Sequence, residues 1–337
     1  MKKKVRIGLV GCGGIGRAHL NAFMYLSEQA EVVATADIIP ERARKYAAEV
    51  NANWYASAEE MVRSEELDMI DICVPTIDHA KLALLGMDHG LHVFIEKPLC
   101  LKAAEGEVLI AKQQATGLKV MVGQLLRFWT EYRYVRDRYV AGDFGRLLSA
   151  SLSRTGSAPV WSEWYMDPDR SGTLGLDLHI HDIDFVRFML GEPEEIYSRG
   201  NYYPEPTLKD LFTILQYPDL AIGIEAAWHH NSAFPFSMKF RLGFEKALLT
   251  YDSSATPSFL IYEGDAQPYT PEIPDRLEFP PSKDGSMTQS SGHILELSYF
   301  LDCIQNDKVV EQNTLADALK SVTTCLEIIR QCGGAKK

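Results

Sequence analysis

The sequence predicts an α/β protein in two parts: an N-terminal doubly wound parallel sheet, then a C-terminal α+β domain with a mostly antiparallel sheet. Through residue 122, short runs rich in Val, Ile and Leu alternate with helix-like stretches, the pattern of strands covered on both faces. Beyond Gly123, β-like runs follow one another with only turn residues between them, as antiparallel neighbours require. A chain of 337 residues, at roughly 150 per domain, agrees with two domains.

In the first part, strands are expected at residues 5–10, 31–37, 69–74, 91–95 and 119–122. Helices are expected near 15–26, 41–50, 58–63, 78–87 and 103–115. The domain boundary falls at 123/124, giving domains 1–123 and 124–337. In the second domain, a basic, aromatic helix at 129–140 leads through Gly142 and Gly145 to a strand at 147–154. A Trp-rich loop and a helix at about 174–190 follow, then β-like runs at 208–217, 221–228, 237–242 and 247–251. The Pro- and Gly-rich stretch 265–285 reads as a long surface excursion, and amphipathic helices at 294–304 and 315–331 close the chain.

Composition excludes several classes. Apolar residues make up 46% and charged ones 24%, enough for a packed core and too balanced for global disorder. The net charge of −12 argues against nucleic acid or an anionic membrane surface as partner. No stretch approaches the ~20 apolar residues that span a bilayer. The lysines at the start mimic a signal peptide, but Arg6 and the glycines from Gly8 onward interrupt any apolar core. Six scattered cysteines without a C-x-x-C pair fit neither a zinc ribbon nor a redox motif, and imply reduced thiols in a cytoplasm.

Gly11-Cys12-Gly13-Gly14-Ile15-Gly16 holds a G-x-G-x-x-G pattern directly after the first strand and at the start of a helix. Gly11 permits the tight turn, Gly13 lets backbone approach a pyrophosphate, and Gly16 lets helix and strand pack closely. Asp37 ends the second strand about 20 residues later, where a ribose-binding carboxylate belongs. A carboxylate there repels a 2′-phosphate, and Ile38 and Ile39 offer no cation, so NAD is favoured over NADP. Arg42 and Arg44 either temper that preference or are exposed helix residues.

The strand at 91–95 runs into Glu96-Lys97-Pro98, which places Lys97 at the carboxyl edge of the sheet, where ligands bind. Taken alone, such a lysine is more often a solvated strand-end charge. A second constellation lies in the helix at 174–190: Asp177, His181 and Asp184 recur at i, i+4 and i+7 and share one face. A carboxylate beside an imidazole orients the ring and raises its proton affinity, which suits a general base, and a structural helix pair is the bland alternative. No metal is expected: His179 and His181 diverge by about 200° on a helix, and His229 and His230 point to opposite faces of a strand.

Together, the glycine fingerprint, Glu96-Lys97-Pro98 and the Gly172…Asp177…His181 helix resemble the Gfo/Idh/MocA family of nicotinamide-dependent oxidoreductases over essentially the whole chain. Ile180-His181-Asp182-Ile183-Asp184 looks most like its inositol dehydrogenase-like branch. Two departures blur the substrate: Ser171-Gly172 replaces the usual Gly-Gly, and Phe234-Pro235-Phe236 lacks an expected tyrosine. The resemblance implies a Rossmann domain, an open second-domain sheet that forms homo-oligomer contacts (dimer or tetramer), and a last helix, about 315–331, that returns to the first domain. It also implies Lys97 as catalytic lysine, Asp177 and His181 as the catalytic pair, and Pro75, Thr76 and His79 near the nicotinamide. The bland reading of those last three is a strand-to-helix turn with Thr76 as N-cap. Gly14, Ile15, Glu96 and Lys97 complete the expected cofactor contacts.

The implied reaction is hydride transfer from a secondary alcohol of a sugar, sugar derivative or cyclitol to NAD, with His181 as base and Lys97 on the reacting oxygen. Arg127, Asp184 and Trp164, within Trp161-Ser162-Glu163-Trp164-Tyr165, are candidate substrate contacts, or equally core or interface residues. Rival readings are a non-catalytic dinucleotide-binding regulator and an NAD-dependent glycosidase.

Overall fold

The computed structural model describes residues 3–160, 162–202, 207–277 and 291–333. The chain divides into two compact units, Met1–Trp129 with Arg276–Lys320, and Thr130–Asp275 with Ser321–Lys337.

The first unit is built on six parallel strands: β1 (Val5–Val10), β2 (Ala30–Ala36), β3 (Asn53–Tyr55), β4 (Met69–Ile72), β5 (His92–Glu96) and β6 (Val120–Gly123). Their order is β3-β2-β1-β4-β5-β6. The order reverses between β1 and β4, so the carboxyl ends of these two strands open the crevice in which such sheets bind ligands. All four residues of β4 are buried, as a strand covered on both faces demands. The short edge strand β3 is absent from the expectation: three residues carry no alternation to read.

The helices Gly14–Tyr25 and Ser291–Gln305 share one core with the sheet, in which Leu20, Phe23, Leu297, Phe300 and Leu301 meet Ile7, Leu9 and Phe94. The late helix Ser291–Gln305 therefore belongs to the first unit, which differs from a single cut at 123/124. Its apolar spacing marks a buried face but does not say which part of the chain covers it. The last helix, Leu315–Gln331, is divided: it groups with the first unit up to Lys320 and with the second from Ser321. Leu319 packs closely over Gly106, where an added Cβ would lie 2.6 Å from its side-chain methyl.

The second unit holds a mixed sheet of β7 (Leu147–Ser157), β8 (Glu195–Tyr202), β9 (Leu208–Tyr217), β10 (Leu220–His229), β11 (Ser237–Phe244), β12 (Leu248–Asp252) and β13 (Phe259–Tyr262). The order is β13-β12-β11-β7-β10-β9-β8, antiparallel throughout except for β7 beside β10. On β9, Leu211, Thr213 and Leu215 point inward while Phe212 and Ile214 stay exposed. Inside, Tyr132 of the helix Thr130–Ala141 packs edge-on against Phe185, Phe240 and Tyr251. Within the expected excursion 265–285, Tyr269 bridges to Ile261, and residues 278–285 lie outside the described residues.

Candidate active site

The shape of the glycine turn sets where the ends of β1 and β4 meet the first helix. Gly11 has φ +95°, a left-handed conformation, and a Cβ there would stand 2.2 Å from the carbonyl oxygen of Cys73. A Cβ on Gly16 would stand 2.1 Å from the carbonyl oxygen of Gly11. These two positions bring the helix Gly14–Tyr25 hard against the ends of β1 and β4. At Gly13 and Gly14, by contrast, a Cβ would meet nothing within 4 Å. Gly13 is the helix N-cap and brings no side chain of its own to that helix end, while the Tyr46 hydroxyl donates to its carbonyl oxygen at 2.9 Å. An amino-terminal helix end facing open space, with backbone bare of side chains, is the cradle a pyrophosphate needs.

Asp37 is fixed beside this turn. Its Oδ2 accepts the Cys12 N–H at 2.8 Å and its Oδ1 accepts the Ile39 N–H at 2.8 Å. Ile38 is 91% exposed, and the guanidinium of the exposed Arg44 stacks on Trp54 at 4.1 Å. The residues present fit NAD. Burial and the Asp37 carboxylate push the Cys12 thiol up to about 12, so it stays neutral within the turn.

Past β4, Pro75 precedes a single 3₁₀ turn, Thr76–Asp78, and the helix His79–Asp88. Thr76 makes no cap bond; it is buried as the first residue of the turn. His79 is buried, with Nδ1 2.7 Å from the Pro98 carbonyl oxygen and Nε2 2.9 Å from that of Val74. Burial lowers its pKa and the two carbonyls oppose that. His79 thus ties the loop after β5 to the end of β4, and its ring is spent on backbone.

Lys97 is half-buried just past β5, and the Glu96 carboxylate beside it is buried. Glu96 Oε2 accepts the Lys97 backbone N–H at 3.1 Å, and Oε1 lies 3.0 Å from His19 Nε2. Among the described residues, two buried groups carry metal-type donors, His19 with His293 and Glu296, and His19 with Asp71 and Cys73. Both depend on His19, whose two ring nitrogens lie 2.8 Å from Asp71 Oδ2 and 3.0 Å from Glu96 Oε1. This cluster escaped the sequence reading; its trace was a charged Asp71 inside an otherwise apolar strand.

In the second unit, the short helix Pro168–Ser171 ends on Gly172 at φ +70°, and Thr173 follows at φ 53°. Ser171 is fully buried, donating from Oγ to the Tyr165 carbonyl and accepting the Thr173 N–H. A side chain is therefore accommodated where the resemblance led to a glycine. The expected helix at 174–190 begins as a π-turn, Gly175–His179, and becomes α-helical over Ile180–Leu190. Such insertions recur at functional sites.

Along this segment, burial separates the polar residues. Asp177 and His181 are half-buried, whereas His179, Asp182 and Asp184 are buried and committed elsewhere. His179 Nε2 lies 2.9 Å from Thr213 Oγ1, and burial with the Arg154 charge drops its pKa to about 3. Asp182 takes a bidentate bond from buried Arg154 at 2.9 and 3.0 Å. Asp184 Oδ1 accepts from Ser321 Oγ at 2.7 Å, so it faces the last helix and differs in environment from Asp177 and His181. Trp164 stacks on Tyr165 at 3.9 Å, both half-buried, and Trp161 lies outside the described residues. Arg127 is buried in the first unit, 3.3 Å from Asp317.

Comparison with known proteins adds the context. Residues 5–124 match the domain family described as an oxidoreductase family with an NAD-binding Rossmann fold. Residues 132–248 match the GFO/IDH/MocA C-terminal domain. The chain is 24% identical over 318 residues to scyllo-inositol 2-dehydrogenase (NAD(+)) of Bacillus subtilis (strain 168), covering 91% of this chain and 88% of that protein. It is 27% identical over 306 residues to inositol 2-dehydrogenase of Rhizobium meliloti (strain 1021), covering 89% of each. Among solved structures, levoglucosan dehydrogenase in complex with NADH and levoglucosan superposes with a TM-score of 0.85 at 17% identity, over 99% of this chain and 98% of that one, a likeness of fold.

Proposed function

Because the chain belongs to the Gfo/Idh/MocA family of oxidoreductases with an NAD-binding Rossmann domain, we propose that it is an NAD-dependent dehydrogenase acting on a secondary alcohol of a sugar, sugar derivative or cyclitol. The observation that carries this reading is that Asp177 and His181 are only half-buried on a helix whose other polar residues are buried. The names of the inositol dehydrogenase relatives support the substrate class.

The glycine turn holds the cofactor's pyrophosphate on the helix end at Gly13–Gly14, with Ile15 and Gly16 completing that turn, and Asp37 takes the ribose hydroxyls. NAD, when bound, supplies the hydride acceptor. His181 removes the proton from the substrate hydroxyl, and Asp177 orients the imidazole and favours its charged form. Lys97 donates a hydrogen bond to the substrate oxygen and stabilises the charge that develops there. Pro75 and Thr76 line the cofactor side of the loop that His79 braces. Trp164 offers a flat apolar face to a ring substrate.

The chain acts as a homo-oligomer, a dimer or tetramer, through the outward face of the second sheet. Tyr197, Phe212 and Ile214 are 54, 51 and 46% exposed on adjacent strands β8 and β9, an apolar patch with charged Lys239 and Arg241 farther across the sheet. A cytoplasmic setting agrees with six cysteines that form no disulfide. The test is NADH formation by the purified chain across polyols, aldoses, nucleotide sugars and glycosides, with NAD and NADP in parallel. NAD-dependent turnover of at least one polyol or sugar supports the reading. Tight NADH binding without turnover moves the assignment to a regulator, and sugar release from a glycoside without net NADH to a glycosidase.

A further inference from the structure

The polar cluster buried under Lys97 is larger than a strand-end lysine requires. His19, on the helix Gly14–Tyr25, has Nδ1 2.8 Å from Asp71 Oδ2 and Nε2 3.0 Å from Glu96 Oε1. Both neighbours are carboxylates, so both ring nitrogens donate and the ring is an imidazolium. Burial works against that charge, but the Asp71 carboxylate, with the hydrogen bonds to Asp71 and the Cys73 sulfur, outweighs it and holds the His19 pKa well above its ordinary value.

The groups around this ion pair are neutral. Burial pushes up the Cys73 thiol, whose sulfur lies 3.4 Å from His19 Nδ1. From the helix Ser291–Gln305, the His293 ring approaches His19 at 5.7 Å between centroids, and burial with the His19 charge lowers its pKa to about 4. Glu296 lies on the same helix, fully buried, and burial with the Glu96 charge keeps it protonated. One cation thus sits between two carboxylates, and the second Glu96 oxygen holds the Lys97 backbone N–H at 3.1 Å. Space is reserved for it: a Cβ on Gly123 would come 2.7 Å from Glu96 Oε1.

We propose that His19 and Glu96 are positioning residues for Lys97. Asp71 on β4 orients the His19 ring, the ring fixes the Glu96 carboxylate, and that carboxylate fixes the backbone from which the lysine extends. The ring itself is carried by the helix Gly14–Tyr25, so the chain runs from that helix through β4 and Glu96 to the lysine loop. A buried ion pair is poor evidence for stability alone, since apolar residues of similar volume do that as well. What marks this one is where its last bond goes. The inference rests on the preceding reading of Lys97 as the group on the substrate oxygen.

The test compares wild type, E96Q, H19N and the control L297A, which removes buried bulk from the same core outside the polar chain. Steady-state kinetics, NADH fluorescence titration and thermal unfolding are measured on each. E96Q and H19N lower kcat by about 10- to 100-fold, the cost of a misplaced reacting group, with KM and NADH affinity changed less than about threefold. L297A loses comparable stability and keeps its kcat. ¹⁵N NMR of the wild-type histidine rings shows His19 protonated on both nitrogens at neutral pH. A wild-type chain that turns over beside an E96Q variant no slower than L297A overturns the positioning role alone. A His19 ring carrying one proton overturns it as well. A wild-type chain with no turnover on any substrate overturns the dehydrogenase reading and this role with it.

Discussion

Replacing Gly11 by alanine tests whether the turn's geometry is needed both for folding and for the cofactor. The position has φ +95°, and a new Cβ would lie 2.2 Å from the Cys73 carbonyl oxygen and 2.6 Å from its carbon. A left-handed L-residue costs about 1–2 kcal/mol. Relieving the overlap means parting two backbones by about 1 Å, an overpacking of about 1–3 kcal/mol. Neither strand end yields easily, because Gly11 N–H bonds Ala36 O at 2.8 Å and Cys73 N–H bonds Val10 O at 2.7 Å. G11A is therefore about 2–5 kcal/mol less stable, and NADH binding weakens by tenfold or more, about 1.4 kcal/mol. G13A separates the two effects. Its Cβ meets nothing within 4 Å, so stability stays within about 1 kcal/mol while the methyl intrudes where the pyrophosphate lies. Urea unfolding gives the first quantity and NADH fluorescence titration the second. G11A with wild-type stability and affinity, or G13A with wild-type affinity, refutes the reasoning.

The remaining predictions concern the second unit. D182A leaves the guanidinium of Arg154 buried without its bidentate partner and costs about 3–5 kcal/mol in urea unfolding, while D182L with R154M recovers most of the loss. His179 has a folded pKa of about 3 against 6.5 for the ordinary group, so the unfolded chain binds the proton first. Its contribution is complete above pH 6.5 and falls by about 1.4 kcal/mol per pH unit as pH drops toward 3, so the wild-type slope is steeper than that of H179N by about this amount. H181A lowers turnover by about 10²–10⁴-fold in steady-state assays, with NADH affinity little changed.

The parts of the fold legible in the sequence are those with local cause. Val5–Val10, Leu208–Tyr217 and Leu315–Gln331 have the expected bounds because apolar period and flanking turn residues coincide there. β8 was not legible: along Glu195–Tyr202 its residues are largely solvent-facing, so no apolar alternation marks it. β13, Phe259–Tyr262, is four residues between turns, too short to tell from a loop. Nor could periodicity reveal that β7 pairs with β10 in parallel, since register is set by packing between distant segments. The cofactor turn and Asp37 were readable because their spacing is dictated by one strand-turn-helix unit. The His19 cluster was not, because its bonds span 52 and 77 residues and join single polar residues in apolar elements. The π-turn at Gly175–His179 was likewise hidden, since it is a shift in backbone hydrogen bonding confined to five residues, too few to carry a period of their own.

The central claim is direct hydride transfer from a substrate carbon to NAD. The most direct measurement is mass spectrometry of the NADH formed from a turned-over polyol or sugar that carries deuterium on its reacting carbinol carbon. One deuterium per NADH, with a slowed rate against the protiated substrate, is the result predicted here. NADH without deuterium, or substrate consumed with no NADH formed, contradicts it.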